Sequence, residues 1–134
     1  MESHPEYSMC MHNAIKRDCT TGKETLLNSF PEEGTYTQEE QIRCGLGSDY
    51  PAFASYLIRT KYLKEMPEFF TTSKVFDYPL RQYFANVGKI YYFAQPMSVY
   101  RAAVPHSYMS SQGNQTFYHT YTTEMILSLI HISE

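Results

Sequence analysis

The chain has 134 residues, 43% of them hydrophobic, with 11 Lys and Arg against 14 Asp and Glu and a formal net charge of −3. That is enough for one small core, so the chain holds one domain or part of one. The cations are scattered and the balance is acidic, which excludes the basic footprint of a nucleic-acid binder.

Tyr7 to Ala14 follows Pro5 with β-compatible and apolar residues and predicts a strand. Lys16 to Lys23 predicts a turn around Thr21-Gly22, and Glu24 to Phe30 its hairpin partner. After Pro31-Glu32-Glu33-Gly34, the spacing Thr37-x-x-Glu40 predicts a capping box, whose helix should stop at Gly45. Phe53 to Arg59 predicts a second strand, followed by a helical turn that Pro67 must end. Leu80, Tyr83, Phe84 and Val87 stand at i, i+3, i+4 and i+7, one apolar face of a helix that Gly88 should close in a left-handed conformation. Lys89 to Phe93 and Met97 to Arg101 predict strands hinged at Gln95-Pro96. Ser107 to Gln115 reads as a loop, and Phe117, Tyr121 and Met125 predict a last helix.

Several chemistries find no support in the spacing. Cys10, Cys19 and Cys44 lack a C-x-x-C pair, which suits a reducing cytosol better than a disulfide framework or a zinc site. The five histidines form no H-x-H or H-E-x-x-H motif. Gly45-Leu46-Gly47-Ser48 begins like a dinucleotide loop, but Tyr50 stands where the third glycine belongs. No stretch reaches the roughly 20 apolar residues that span a bilayer, and no basic-then-apolar leader opens the chain. The 13 Tyr and 8 Phe could stack on sugar rings, although at strand and helix periods such residues read first as core.

Asp77 opens the predicted helix, where a carboxylate accepts a backbone N–H and serves as an N-cap. The residues around it carry a further signal. Phe76-Asp77-Tyr78-Pro79-Leu80, then Gly88-Lys89-Ile90-Tyr91-Tyr92-Phe93, then Pro96-Met97-Ser98-Val99-Tyr100-Arg101, together with Ser3 to Ala14, resemble the acceptor-side half of a family-2 glycosyltransferase. The resemblance covers residues 1 to 106 and is strongest from Phe53 to Arg101.

It implies an α/β fold, the C-terminal part of a GT-A (Rossmann-like) domain with a mixed sheet and flanking helices, here incomplete. It further implies Asp77 as catalytic base and Tyr78, Arg101 and His106 as substrate contacts. The activity implied is inverting transfer of a sugar from a nucleotide donor to a surface glycan or lipid-linked acceptor, in the cytoplasm or at the inner membrane face. Mg²⁺ or Mn²⁺ would serve the full-length enzyme, held by an Asp-x-Asp pair that these residues do not contain. Phe76 replaces the Glu or Gly usual before this Asp, and Ala103 replaces a His, which leaves His106 as the nearest imidazole.

Residues 1–126 are thus expected to form the acceptor-side portion of one domain. Leu127 to Glu134 resembles the translated read-through of a transposase sequencing adapter and is expected to be foreign to the fold. The alternative function is a non-catalytic carbohydrate-recognition or interaction domain that uses its tyrosines as a platform.

Overall fold

A computed structural model describes residues 1–27, 29–45, 51–72, 76–107 and 123. Apart from Thr123, the expected last helix, the adapter-like tail and all of the expected loop beyond Ser107 lie outside these residues, as do Leu46 to Tyr50. Strands β1 (Tyr7–Asp18), β2 (Glu24–Leu26), β3 (Gly34–Tyr36), β4 (Leu57–Ile58) and β5 (Lys89–Ala102) form one mixed sheet. Helices α1 (Gln38–Gly45), α2 (Thr60–Leu63), α3 (Phe69–Thr72) and α4 (Asp77–Val87) complete an α/β arrangement.

The sheet is built around β1. On one side β1 runs parallel to β5, the far edge of which pairs antiparallel with β3. On its other side β1 pairs antiparallel with β4 at Met9 and Cys10 and with β2 from Ile15 to Arg17. Parallel neighbours need a crossover, and α4 supplies its last leg, returning the chain through Gly88 into β5.

The hairpin is as the sequence predicts, except that β1 runs on to Asp18 and β2 is only three residues long. Its turn is held by Asp18, whose Oδ1 accepts the N–H groups of Thr20 and Thr21, both at 2.8 Å, while Gly22 takes a left-handed φ of 73°. These bonds hold the Asp18 carboxyl below its ordinary pKa. The capping box forms too. Thr37 N–H donates to Glu40 Oε2 at 2.8 Å, Glu40 N–H approaches Thr37 Oγ1 at 3.4 Å, and α1 ends at Gly45. The Thr37 N–H, and the Thr37 hydroxyl that donates to the same oxygen at 2.9 Å, hold the Glu40 carboxyl below its ordinary pKa.

Met9, Met11, Ile90, Tyr92 and Tyr36 present one face of the sheet to Leu80, Tyr83 and Phe84 of α4, with Phe30 and Phe70 filling the ends. Period two on the strands and period 3.6 on the helix make this match. Phe30, Tyr36 and Tyr92 cluster with ring centroids 4.4 and 5.0 Å from Phe30, and burial pushes the Tyr92 phenol up to about 12. The helix is buried beyond its predicted face. A second stripe, Tyr78, Arg81, Gln82 and Ala85, is equally enclosed, and α1 packs on α4.

Four expectations are corrected. Phe53 to Arg59 is no single strand: Phe53–Ser55 forms a 3-10 turn and only Leu57–Ile58 pairs. The following helical turn ends at Leu63, and Pro67 instead opens α3, its carbonyl accepting Phe70 N–H at 3.1 Å. β5 is one strand, although the expected hinge survives as bulges: Phe93 and Pro96 face the consecutive residues His12 and Asn13. A bulge is where a strand tolerates the missing N–H of Pro96.

Gly88 is not left-handed. Its φ is −178°, extended backbone open to any residue. What demands glycine is proximity, since a Cβ there would stand 2.8 Å from Ser8 Cβ and 3.1 Å from Ser8 N. Ser8 sits at an irregularity in the β1–β5 ladder and donates its hydroxyl to the carbonyls of Phe84 and Lys89, so the helix end, the new strand and β1 meet at one point.

Candidate functional site

Asp77 lies at the head of α4 with its side chain exposed. The structure moves it one place inward from the expected N-cap, because Phe76 is the cap and its carbonyl accepts the first helical bond, from Leu80 N–H at 3.0 Å. The local sequence explains the shift. Pro79 has no N–H to satisfy and belongs in a first turn. That leaves Tyr78 N–H as an unmet donor, which Asp77 Oδ1 accepts at 2.9 Å. The carboxylate therefore still closes the helix end, and its charge opposes the positive end of the helix dipole. Its second oxygen takes no hydrogen bond among the described residues.

Two aromatic rings stand at the same place. Phe76 precedes Asp77 and is 42% exposed; Phe53, 53% exposed, meets it edge-on at 6.1 Å. Phe70 anchors Phe76 from the core side at 6.0 Å, and Tyr56 anchors Phe53 at 5.4 Å. An exposed carboxylate beside an exposed aromatic lip is a combination that can hold a sugar, with the apolar ring face offering stacking and the carboxylate taking a hydroxyl proton. Sequence reading did not find Phe53. It lies 23 positions before Phe76, and no spacing rule joins a 3-10 turn to a helix cap.

The other expected site residues are distributed differently. Tyr78 is buried, with the Arg81 guanidinium 5.4 Å from its ring centroid, so it supports the head of α4 from beneath. Arg101 lies near the far end of β5, exposed, with Arg17 of β1 as its cross-strand neighbour. His106 is exposed in the turn that follows, at a left-handed φ of 61°. Lys89 and Arg101 are twelve positions apart along β5, at most about 40 Å at 3.3 Å each, whereas the helix rises only about 16 Å over its length. Among the described residues no hydrogen bond or ion pair joins Asp77 to Arg101 or His106. The structure thus groups Asp77, Phe76 and Phe53 at one place and Arg101 and His106 at another.

Among the described residues no group of three or more His, Cys, Asp or Glu is arranged to hold a metal ion. Mg²⁺ and Mn²⁺ take several oxygen ligands, and Asp77 offers one carboxylate, so these residues by themselves do not fit such an ion. No helix among the described residues is long and apolar enough to cross a membrane. In comparisons with known proteins, no family model, no curated protein and no solved structure matches the chain.

Proposed function

We propose that the chain is the acceptor-side part of an inverting glycosyltransferase of the GT-A (Rossmann-like) kind, with Asp77 as its general base. The observation that carries this reading is the exposed carboxylate at the head of α4, next in the chain to the exposed Phe76, whose ring Phe53 meets edge-on. The parallel β1–β5 pair entered through α4 supports it, since in α/β sheets a rigid helix holds such a group in place at the rim.

In the proposed reaction an acceptor sugar stacks on the aromatic lip with one hydroxyl at Asp77. As the anomeric carbon of the donor develops oxocarbenium character, the hydroxyl oxygen forms the new bond on the face opposite the leaving group. The nucleotide departs with the electron pair of the old bond, and Asp77 takes the hydroxyl proton. Tyr78 fixes the helix head from below. Arg101 and His106 stand too far along β5 to reach a donor reacting at Asp77 and have no part in this step.

Reading the coding sequence that precedes the codon for Met1 tests the proposal. A nucleotide-binding half with an Asp-x-Asp pair is the expected result. An unrelated, self-contained domain ending just before Met1 would sink it.

A further inference from the structure

β3 covers the outer edge of β5 only from Ile90 to Tyr92, whereas β5 runs on to Ala102. The Glu33 carboxylate takes the Ala94 N–H at 3.1 Å, and from Gln95 onward no described strand pairs with that edge. Its backbone groups can be assigned. Cys19 N–H donates to Ala102 O at 3.0 Å, so Ala102 turns toward the β1 side. Backbone groups alternate between the two edges of a strand, so Ser98 and Tyr100 also turn to β1. Met97, Val99 and Arg101 turn their N–H and C=O groups to the open edge.

An open edge is a template for one more strand unless charge, proline or a bulge blunts it. Here Pro96 and the bulges stand at the near end, and Met97 to Arg101 carries one charge, at its far end. Met97 at 53% and Val99 at 47% are open to solvent. Both share a face with Ile15 and Leu26, because Ile15 is matched with Leu26 on one side and Val99 on the other.

The edge is also polarised along its length. Glu32 and Glu33 lead into β3 at the point where its cover of β5 stops, and Arg101 stands at the other end. None of the three has an ion-pair partner among the described residues. The chain before Glu32 leaves the edge, since Phe30 is buried against Tyr92. An identical edge laid antiparallel therefore brings each Arg101 toward the acidic corner of the other copy.

The register follows. With the twofold axis at Val99, Val99 faces its own copy, Met97 faces Arg101 of the second copy, and no like charges meet. An axis at Tyr100 would set Met97 opposite Ala103, which has left the strand with a φ of 55°.

We infer that two copies of this chain join edge to edge through β5, antiparallel about a twofold axis at Val99, into one continuous sheet. The apolar row then runs unbroken from Leu26 through Ile15 and Val99 into the same residues of the second copy. A single short strand makes a small contact, so the dimer is reversible, with a dissociation constant of about 10–100 µM.

Sedimentation equilibrium of the purified chain from about 5 to about 500 µM should show monomer and dimer in exchange. Val99→Lys, at an exposed position, sets two cations face to face on the axis and should weaken association by about tenfold or more. Arg101→Glu sets carboxylates toward Glu32 and Glu33 and should weaken it by about tenfold, and adding Glu32→Lys should recover most of that loss. The Arg101 pair of variants leaves the apolar row intact and keeps the test valid if Val99→Lys disturbs folding, which circular dichroism reports. Amide exchange at Val99 should slow as concentration rises, while that at Tyr100, which faces β1, stays slow throughout. A monomer at the highest concentration, folded Val99→Lys or Arg101→Glu associating like the parent, assembly beyond the dimer, or Val99 exchange independent of concentration would overturn the inference.

Discussion

Replacing Gly88 by alanine tests how the helix, β1 and β5 are joined. The added Cβ would lie 2.8 Å from Ser8 Cβ, 3.1 Å from Ser8 N and 3.2 Å from Glu6 O. Two of these three neighbours are backbone atoms of the β1 entry, so no flexible side chain can swing aside. Overpacking of this kind costs about 1–3 kcal/mol. Moving Ser8 away also strains its hydroxyl bonds to Phe84 and Lys89, each worth about 1 kcal/mol. A loss of about 2–4 kcal/mol follows, or roughly 6–16 °C in Tm for a domain of this size.

Denaturant unfolding of Gly88→Ala, Gly88→Asn and the double variant Gly88→Ala with Ser8→Gly reads the effect. Asparagine is the informative control. It tolerates a left-handed cap, so a left-handed Gly88 would accept it with little loss, whereas close approach makes it at least as costly as alanine. Ser8→Gly removes the nearest contact and should make Gly88→Ala cheaper in that background than alone. If Gly88→Ala changes stability by under about 0.5 kcal/mol, the close-approach explanation fails.

Phe84→Ala, at a fully buried position between Tyr62 and Tyr83, should cost about 3–5 kcal/mol in chemical unfolding, and a loss under about 1 kcal/mol would place the core elsewhere. Thr37→Ala removes the hydroxyl half of the α1 capping box and should cost about 1 kcal/mol in the same assay. Asp18 and Glu40 have folded pKa values lowered by backbone hydrogen bonds, from ordinary values of 3.8 and 4.5. Their contributions are therefore complete above those values and fade as pH falls through the lower folded ones. Tm measured from pH 6 to 3 should fall less steeply in Asp18→Asn than in the parent, and identical slopes would remove Asp18 from the acid response.

Local patterns in this chain were readable where one short segment decides the outcome. The capping box of Thr37 and Glu40, the Thr21-Gly22 turn and the apolar stripe of α4 each depend on residues within a few positions of one another. The strand pairings depended on more. Nothing near Gly34 to Tyr36 marks a strand, because β3 exists only through its ladder with Ile90 to Tyr92. The Phe53 to Arg59 run has strand-like composition, yet only Leu57 and Ile58 find an edge, opposite Cys10 and Met9.

Gly88 was correctly singled out for the wrong physical reason, since sequence cannot show that Ser8 will come within contact of it. The second buried stripe of α4 contains Arg81 and Gln82, which polarity alone assigns to solvent. At the candidate site the place of Asp77 at the head of its helix was legible and the edge-on contact of Phe53 with Phe76 was not, because the 3-10 turn that presents Phe53 is placed by tertiary packing.

Turnover by the proposed full-length transferase tests the role of Asp77 most directly, with Asp77→Asn compared against the parent at saturating nucleotide-sugar and acceptor. Asparagine keeps a side-chain oxygen for Tyr78 N–H and removes the proton acceptor, so folding should persist while turnover falls by about 10²–10⁴-fold. Near-normal turnover by a folded Asp77→Asn enzyme would reduce Asp77 to a residue that only closes its helix.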